Sequence, residues 1–214
     1  MSRFRQVLLS EDTFYRDLVT RLVTFYQLQS LAKEYLSAIS IGVPAEIENG
    51  GPEHGLSPNL GYEERKEKLN LVYKALICLG DLERYKEQYD ERARREVREG
   101  KGVSAKFSDR YGKSWTYYEV ARSLAPDDGS AFNQLAVIST YLGDDFLCVY
   151  YYIRALAVKN AFKNIQEILE KFLRKTFEKW ASKQGRRRDE EMEEVSDIKA
   201  ELVTLVAIVY RRQG

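Results

Sequence analysis

Histidine occurs once in this chain, at His54, and cysteine twice, at Cys78 and Cys148. That scarcity removes whole classes of chemistry. A structural zinc site draws on clustered Cys and His ligands, and a Cys–His or Ser–His–Asp centre needs a rigidly held imidazole. Here the lone His54 sits in a Gly/Pro-rich stretch. Both cysteines lie in apolar stretches, which reads as buried, reduced thiols of a cytoplasmic or nuclear protein. No apolar run approaches the roughly 18 residues of a membrane span, and the N-terminus lacks a signal-peptide pattern. No membrane partner is expected. Charge of one sign is also missing: 34 Lys and Arg face 33 Asp and Glu, for a net charge of +1. No global field draws the chain to nucleic acid, so any anion site must be local. No Gly-rich phosphate loop opens a helix. Carboxylates are plentiful but have no catalytic companion. The chain is therefore expected not to be an enzyme, to need no cofactor or metal and to take no small-molecule substrate.

What is present is helical periodicity. From Ser10 to about Ser40, apolar residues fall at Phe14, Leu18, Leu22, Phe25, Leu28, Ala32 and Tyr35. Their steps of three and four predict one long amphipathic helix with Ser10 as N-cap. Three of the four prolines and five glycines then gather in Ile41–Gly61, a long exposed loop. Further helices are expected at about 62–88, 112–124, 130–142, 146–158, 162–183 and 196–211. In the helix at about 162–183, Ile165, Leu169, Phe172, Leu173, Phe177 and Trp180 point inward. In the last, the inward set is Ile198, Leu202, Leu205, Val206 and Val209. No segment reads as a strand. The fold class is all-α.

Two stretches repeat. Ser114, Tyr118, Ala121 and Leu124 stand 34 residues before Cys148, Tyr152, Ala155 and Val158. Matches at one such offset indicate helix–turn–helix repeats of tetratricopeptide type, so the architecture is an antiparallel helical-repeat array. Leu79–Gly80 and Leu135–Ala136 supply the close-packing pairs of the two first helices, and Gly143 the turn of the second copy. In the first copy an insertion of about 20 residues separates the helices, relative to the repeat length.

The first helix of each repeat lines a concave face. Inward positions counted from Leu79 are Lys74, Ile77, Asp81 and Arg84, with Tyr85 beside them. Counted from Leu135 they are Ser130, Asn133, Val137 and Thr140. Lys74, Arg84, Tyr85 and Asn133 would give such a groove two cations, a phenol and an amide, groups that suit a phosphate or a carboxylate. The alternative is that Arg84 pairs only with Asp81 or Glu87 on its own helix.

Three blocks carry a resemblance: "ALICLGDLERYKEQY", "YYEVARSLAPDDGSAFNQLAVIS" and "GDDFLCVYYYIRALAVKNAF", preceded by "SEDTFYRDLVTRLV". In this order and spacing they resemble the Est/SMG/Ebs family of telomerase-associated and nonsense-mediated mRNA decay factors, over about Phe14–Asn164. The wording is similar to filamentous-fungal members. The resemblance implies a 14-3-3-like domain continued by helical repeats. In members of the SMG type it implies binding of a phosphorylated segment of the up-frameshift RNA helicase. It places a phosphate-binding Arg in the LGDxxRY block, at Arg84, followed by Tyr85 as in the Arg–Tyr pair of 14-3-3 proteins. The family's other basic residue should lie upstream of Phe4, so the chain is expected to be N-terminally truncated. No family motif assigns that role to Lys74. The nuclease domain of one branch is not in this sequence, and no RNA cleavage is expected.

The expected organisation is a 14-3-3-like helical domain over 1–184, a charged connector over 185–195 and a further helix over 196–214. The leading functional reading is a non-catalytic phosphopeptide-binding adaptor. A second is an accessory domain that binds RNA or telomeric DNA, and a third is a phosphate-independent repeat scaffold. Balanced, interleaved charge in "DERARREVREGK" and "RRRDEEMEE" favours solvated segments over nucleic-acid arms. Tyr150, Tyr151 and Tyr152 read as packing residues rather than base-stacking platforms. Arg84→Glu is expected to abolish phosphopeptide binding with the fold intact.

Overall fold

In the computed structural model the described residues are 3–39, 41, 60–89, 110–186 and 198–212. They form eight helices: α1 (Arg3–Phe25), α2 (Gln29–Ser37), α3 (Tyr62–Gln88), α4 (Gly112–Leu124), α5 (Gly129–Leu142), α6 (Asp145–Ala157), α7 (Ile165–Arg186) and α8 (Ile198–Arg212). There is no strand among the described residues beyond an isolated bridge between Asp128 and Asn160. The all-α expectation holds. The helices divide between two compact units, Met1–Pro126 and Asp127–Gly214. The expected connector falls largely outside the described residues, as do the insertion at 90–109 and most of the Pro/Gly-rich loop with His54.

In the first unit, α3 is the central element, packing against α1 and α4. Its start is set by Glu64, whose carboxylate accepts from the Gly61 N–H at 2.9 Å, and by the favourable placement of Glu63 and Glu64 at the positive end of the helix. Leu69, Val72, Leu76 and Leu79 recur at three and four residues and are buried, each such side chain worth about 1.5–3 kcal/mol of transfer free energy. Gly80 allows the close approach of α4: a Cβ there would lie 2.4 Å from a ring carbon of Tyr118, which is fully buried. A polar cluster ties α1 to α3. Asp12 accepts from Arg16 Nε at 2.9 Å and from Lys86 Nζ at 3.1 Å, and Lys86 also reaches Glu83 at 2.7 Å. Burial disfavours the Asp12 charge, but these hydrogen bonds outweigh it and hold the carboxyl below its ordinary value.

The long helix expected from Ser10 is instead two helices, beginning at Arg3 and broken at Tyr26–Leu28. Gln27 has φ +52°. Gln27 N–H donates to Thr24 C=O at 3.3 Å, and Leu28 N–H to Val23 C=O at 2.9 Å. This is a Schellman motif with glutamine at the left-handed position. It turns the chain so that Leu28, Ala32 and Leu36 of the α2 segment are buried. The inward face of α1 is correspondingly Leu8, Val19 and Val23, while Phe14 and Phe25 are exposed. The expected stripe is thus corrected at its aromatic positions: Phe14 and Phe25 face out, Leu18 and Leu22 are half-buried, and the side that carries Leu8, Val19 and Val23 packs.

In the second unit α5 and α6 form an antiparallel pair, and α6, α7 and α8 pack on one another. Asp128 caps α5 by accepting from Ser130 N–H at 2.8 Å, and Asp144 caps α6 by accepting from Leu147 N–H at 2.9 Å. Between them Gly143, with φ +71°, closes α5 in a second Schellman motif, its partner Asp144 N–H reaching Ser139 C=O at 3.0 Å. Ile165, Leu169 and Leu173 of α7 are buried as expected, while Phe172 and Phe177 are half-buried. In α8 the expectation fails for Leu202, Leu205 and Val206, which are exposed; the side chains of Ile198 and Val209 lie outside the described ones, and among those described Val203 and Ala207 are buried. The helix is apolar on most of its circumference, so periodicity alone does not choose a face. Tyr151 and Tyr152 are buried, but Tyr150 is exposed, because three successive positions cannot share one helix face.

Candidate functional site

The α3–α4 contact brings Asp81, Arg84 and Tyr118 together. Arg84 follows Leu79 by five residues and lies on the flank of α3 that meets α4. Its side chain is 9 % exposed, and its Nη2 donates to Asp81 Oδ1 at 2.8 Å. Tyr118 Oη donates to the same Asp81 oxygen at 2.7 Å, and Arg84 Nε lies 3.4 Å from Tyr118 Oη. The Arg84 guanidinium also stands over the Tyr85 ring, 4.5 Å from its centroid, a cation–π arrangement. Burial opposes the guanidinium charge, but the hydrogen bonds to Asp81 and Tyr118 outweigh it and raise the pKa above its ordinary value. Burial drives the Tyr118 phenol upward, and the Asp81 charge adds to it. Both groups keep fixed protonation at any physiological pH.

Lys74 is exposed on α3 and has no ion-pair partner among the described residues. Ten residues of helix separate it from Arg84, about 15 Å of rise, so the two do not converge on one phosphate group without extending toward each other. Tyr85 is exposed, beside Arg84. Asn133 belongs to the second unit, on α5, where it is buried and its amide has no hydrogen-bond partner among the described residues. The alternative drawn from the sequence, that Arg84 pairs with Asp81 on its own helix, describes one of its contacts; the interhelical contact with Tyr118 adds to it.

Asp81 and Tyr118 were not among the expected site residues. A signal for them exists in the repeat itself. Two and five positions after the packing Leu, the first copy has Asp81 and Arg84, and the second has Val137 and Thr140. Tyr152, the counterpart of Tyr118, lies beside Thr140 and Cys148, and Thr140 Oγ1 is 3.3 Å from Cys148 Sγ. Burial pushes the Cys148 thiol up to about 11, so it is a packing group and not a nucleophile. The charged trio is thus peculiar to the first copy.

The Tyr118 hydroxyl is bonded to charged groups, and such bonds contribute about 1.5–3 kcal/mol. Tyr118→Phe should lower the unfolding free energy by that amount while leaving the ring packing on Gly80 in place. Urea titration checks it; an unchanged midpoint would mean that the hydroxyl bridge is not held in solution.

The arrangement is a fixed cation on a helix flank, with no acid–base pair and no group of three or more His, Cys, Asp or Glu suited to a metal among the described residues. Two family descriptions match the chain: "Telomerase activating protein Est1" over residues 1–90 and "Est1 DNA/RNA binding domain" over residues 114–214. The chain belongs to the Est/SMG family. Among its relatives are two proteins of Arabidopsis thaliana. "Nonsense-mediated mRNA decay factor SMG7-like" is 38 % identical over 112 residues, 52 % of this chain and 11 % of that protein. "Nonsense-mediated mRNA decay factor SMG7" is 30 % identical over 169 residues, 78 % of this chain and 14 % of that protein. "Telomerase-binding protein EST1A" of Danio rerio is 34 % identical over 104 residues, 49 % of this chain and 6 % of that protein. This Est/SMG chain therefore spans only a small part of the length of these relatives. Arg84 lies in the segment matched by the first description, and Tyr118 in the segment matched by the second. No described helix is long and apolar enough to cross a membrane.

Proposed function

We propose that this Est/SMG chain is a non-catalytic, phosphopeptide-binding adaptor module of an mRNA decay or telomerase accessory factor. The observation that carries the reading is the held guanidinium of Arg84. Two hydrogen bonds fix its plane on α3, which leaves other N–H groups of the fork for an incoming oxyanion. Pre-ordering the fork lowers the entropy that a bound phosphate would otherwise cost. Tyr85, exposed alongside, offers an aromatic face and a hydroxyl to the peptide. Lys74 would meet a residue further along an extended peptide. A phosphorylated segment of an up-frameshift RNA helicase is a partner of the required chemistry.

A second reading, binding of RNA or telomeric DNA, is favoured by one feature of the second unit. Lys171, Arg174, Lys175 and Lys179 are all exposed on α7, spaced by three and four residues along one side of the helix. They lie within the segment described as DNA/RNA binding.

Titration at two salt concentrations separates the readings. The probes are one peptide in phosphorylated and unmodified form, a single-stranded RNA and a telomeric DNA strand. The adaptor reading expects the phosphorylated form to bind at least tenfold tighter than the unmodified form, a difference of about 1.4 kcal/mol. A nucleic-acid reader expects log affinity to fall with log salt by about 0.7 per phosphate contacted on a single strand. Equal affinity for both peptide forms would sink the adaptor reading, and salt-insensitive binding of both would leave the apolar scaffold.

A further inference from the structure

The guanidinium of Arg84 is already engaged by an acid of its own helix, in a place where the second repeat has none. The α5–α6 pair packs with Val137 and Thr140 at the positions of Asp81 and Arg84, and Tyr152 is buried there without any charged partner on α5. Packing of the repeat therefore does not require the Asp81 charge. One oxygen of Asp81 accepts from both Tyr118 and Arg84, at 2.7 and 2.8 Å, and the Asp81 side chain remains 27 % exposed. An anion that arrives at Arg84 meets this carboxylate at close range.

We propose that Asp81 sets the ligand specificity of the Arg84 site, making it select phosphate over carboxylate. The inference rests on the reading of Arg84 as a phosphate-binding residue given above. A glutamate side chain offers Arg84 what Asp81 already offers, one negative charge on two oxygens. To bind, it must lose its own hydration and approach the Asp81 charge, so the exchange gains nothing. A phosphoserine carries close to two charges at neutral pH and three strong acceptor oxygens. Its larger charge strengthens the attraction to the guanidinium and the repulsion from Asp81 alike, so the discrimination comes from the three oxygens, which can engage several of the N–H groups that Asp81 leaves. Asp81 is in this sense an internal competitor, which an acidic peptide cannot displace and a phosphorylated one can outbid. Tyr118 keeps the competing oxygen in position.

Asp81→Asn tests this, because the amide oxygen can still accept from Tyr118 and Arg84 while the charge is gone. The full chain is titrated with three forms of one peptide, carrying phosphoserine, glutamate or serine at the same position. The wild type should bind the phosphoserine form and bind the glutamate form no better than the serine form. In Asp81→Asn the glutamate form should gain at least tenfold over the serine form, and the phosphoserine-to-glutamate ratio should fall by a similar factor. A merely structural role would move all three affinities together and leave the ratio unchanged, and that result would overturn the inference. If circular dichroism shows that Asp81→Asn does not fold, Asp81→Ser removes the same charge and is read in the same way. A wild type that binds all three forms alike refutes the phosphate reading and this inference with it. A wild type that selects phosphoserine, with an unchanged ratio in the variant, refutes this inference alone.

Discussion

Arg84→Glu should abolish phosphopeptide binding and, at the same time, weaken the first unit. The binding loss follows from exchanging charge-assisted donors for a like charge. If the phosphate is desolvated at the site, the cost is about 2–5 kcal/mol, which is tens to thousands of fold in affinity. The expectation from sequence was an intact fold, and the geometry corrects it. With its side chain 9 % exposed and bonded to Asp81 at 2.8 Å, Arg84 is part of the α3–α4 packing. Breaking a buried pair costs about 3–5 kcal/mol, and here a second carboxylate would face Asp81 directly. Loss of binding by Arg84→Glu is then ambiguous by itself. Arg84→Lys resolves it, because it keeps the charge and removes the planar fork. It should fold, and it should bind phosphopeptide at least tenfold more weakly than the wild type. Lys74→Glu should cost less, since Lys74 is exposed and about 15 Å along the same helix from Arg84. Arg154→Glu is the control: Arg154 lies exposed on α6, its guanidinium 5.1 Å from the Phe132 ring centroid. Calorimetry against one phosphopeptide, with thermal melts of each variant, reads all four. Wild-type affinity in Arg84→Lys, or a loss confined to Arg154→Glu, would defeat the pocket reading.

What the sequence discloses here depends on how many side chains can do a given job. Gly143 was legible as a turn because glycine is the residue that enters the left-handed region without a Cβ penalty, and it has φ +71°. Gln27 performs the same closure at φ +52° and was not legible, since nothing in a glutamine announces a helix end. On α3 the pair Leu79–Gly80 was legible as a close-packing point, and both residues are buried. On α1 and α8 apolar residues occupy more than one side, and the choice of Val19 over Phe14, or Val203 over Leu202, is made by neighbouring helices that periodicity does not contain. The site shows the same split. The repeat count placed Arg84 on the inward, groove-lining face of its helix from spacing alone, and the structure has its side chain 9 % exposed at the α3–α4 contact. The pairing of Arg84 with Asp81 on its own helix was one reading of the spacing; that Tyr118 would join them was not legible, because that depends on how near α4 comes, and that distance is set by the missing side chain of Gly80.

The largest stability effect expected outside the candidate site is at Gly129, which carries no unusual φ. Its N–H donates to Asn160 C=O at 2.9 Å, and Asn160 N–H donates to Asp127 C=O at 2.9 Å, so the start of α5 is strapped to the segment after α6. A Cβ on Gly129 would lie 2.6 Å from the Ala155 carbonyl oxygen and 2.6 Å from the Phe162 amide nitrogen. Both neighbours are backbone, and neither can swing aside as a side chain would. Gly129→Ala must therefore part α5 from the end of α6 and strain both strap hydrogen bonds, an overpacking cost of about 1–3 kcal/mol or more. Two other glycines separate this cause from loss of glycine as such. Gly143→Ala meets no atom within 4 Å but must hold φ +71°, which costs a Cβ-bearing residue about 1–2 kcal/mol. Gly112→Ala meets no atom within 4 Å and has no positive φ, and at the start of α4 it should be neutral or stabilise by about 0.4–1 kcal/mol through the unfolded chain. Urea midpoints of the three variants should rank Gly112→Ala highest and Gly129→Ala lowest. Hydrogen exchange should locate the Gly129→Ala damage at the amides of Gly129 and Asn160. A midpoint for Gly129→Ala equal to that of Gly112→Ala would mean that α5 and the α6 end do not approach as closely as 2.6 Å implies.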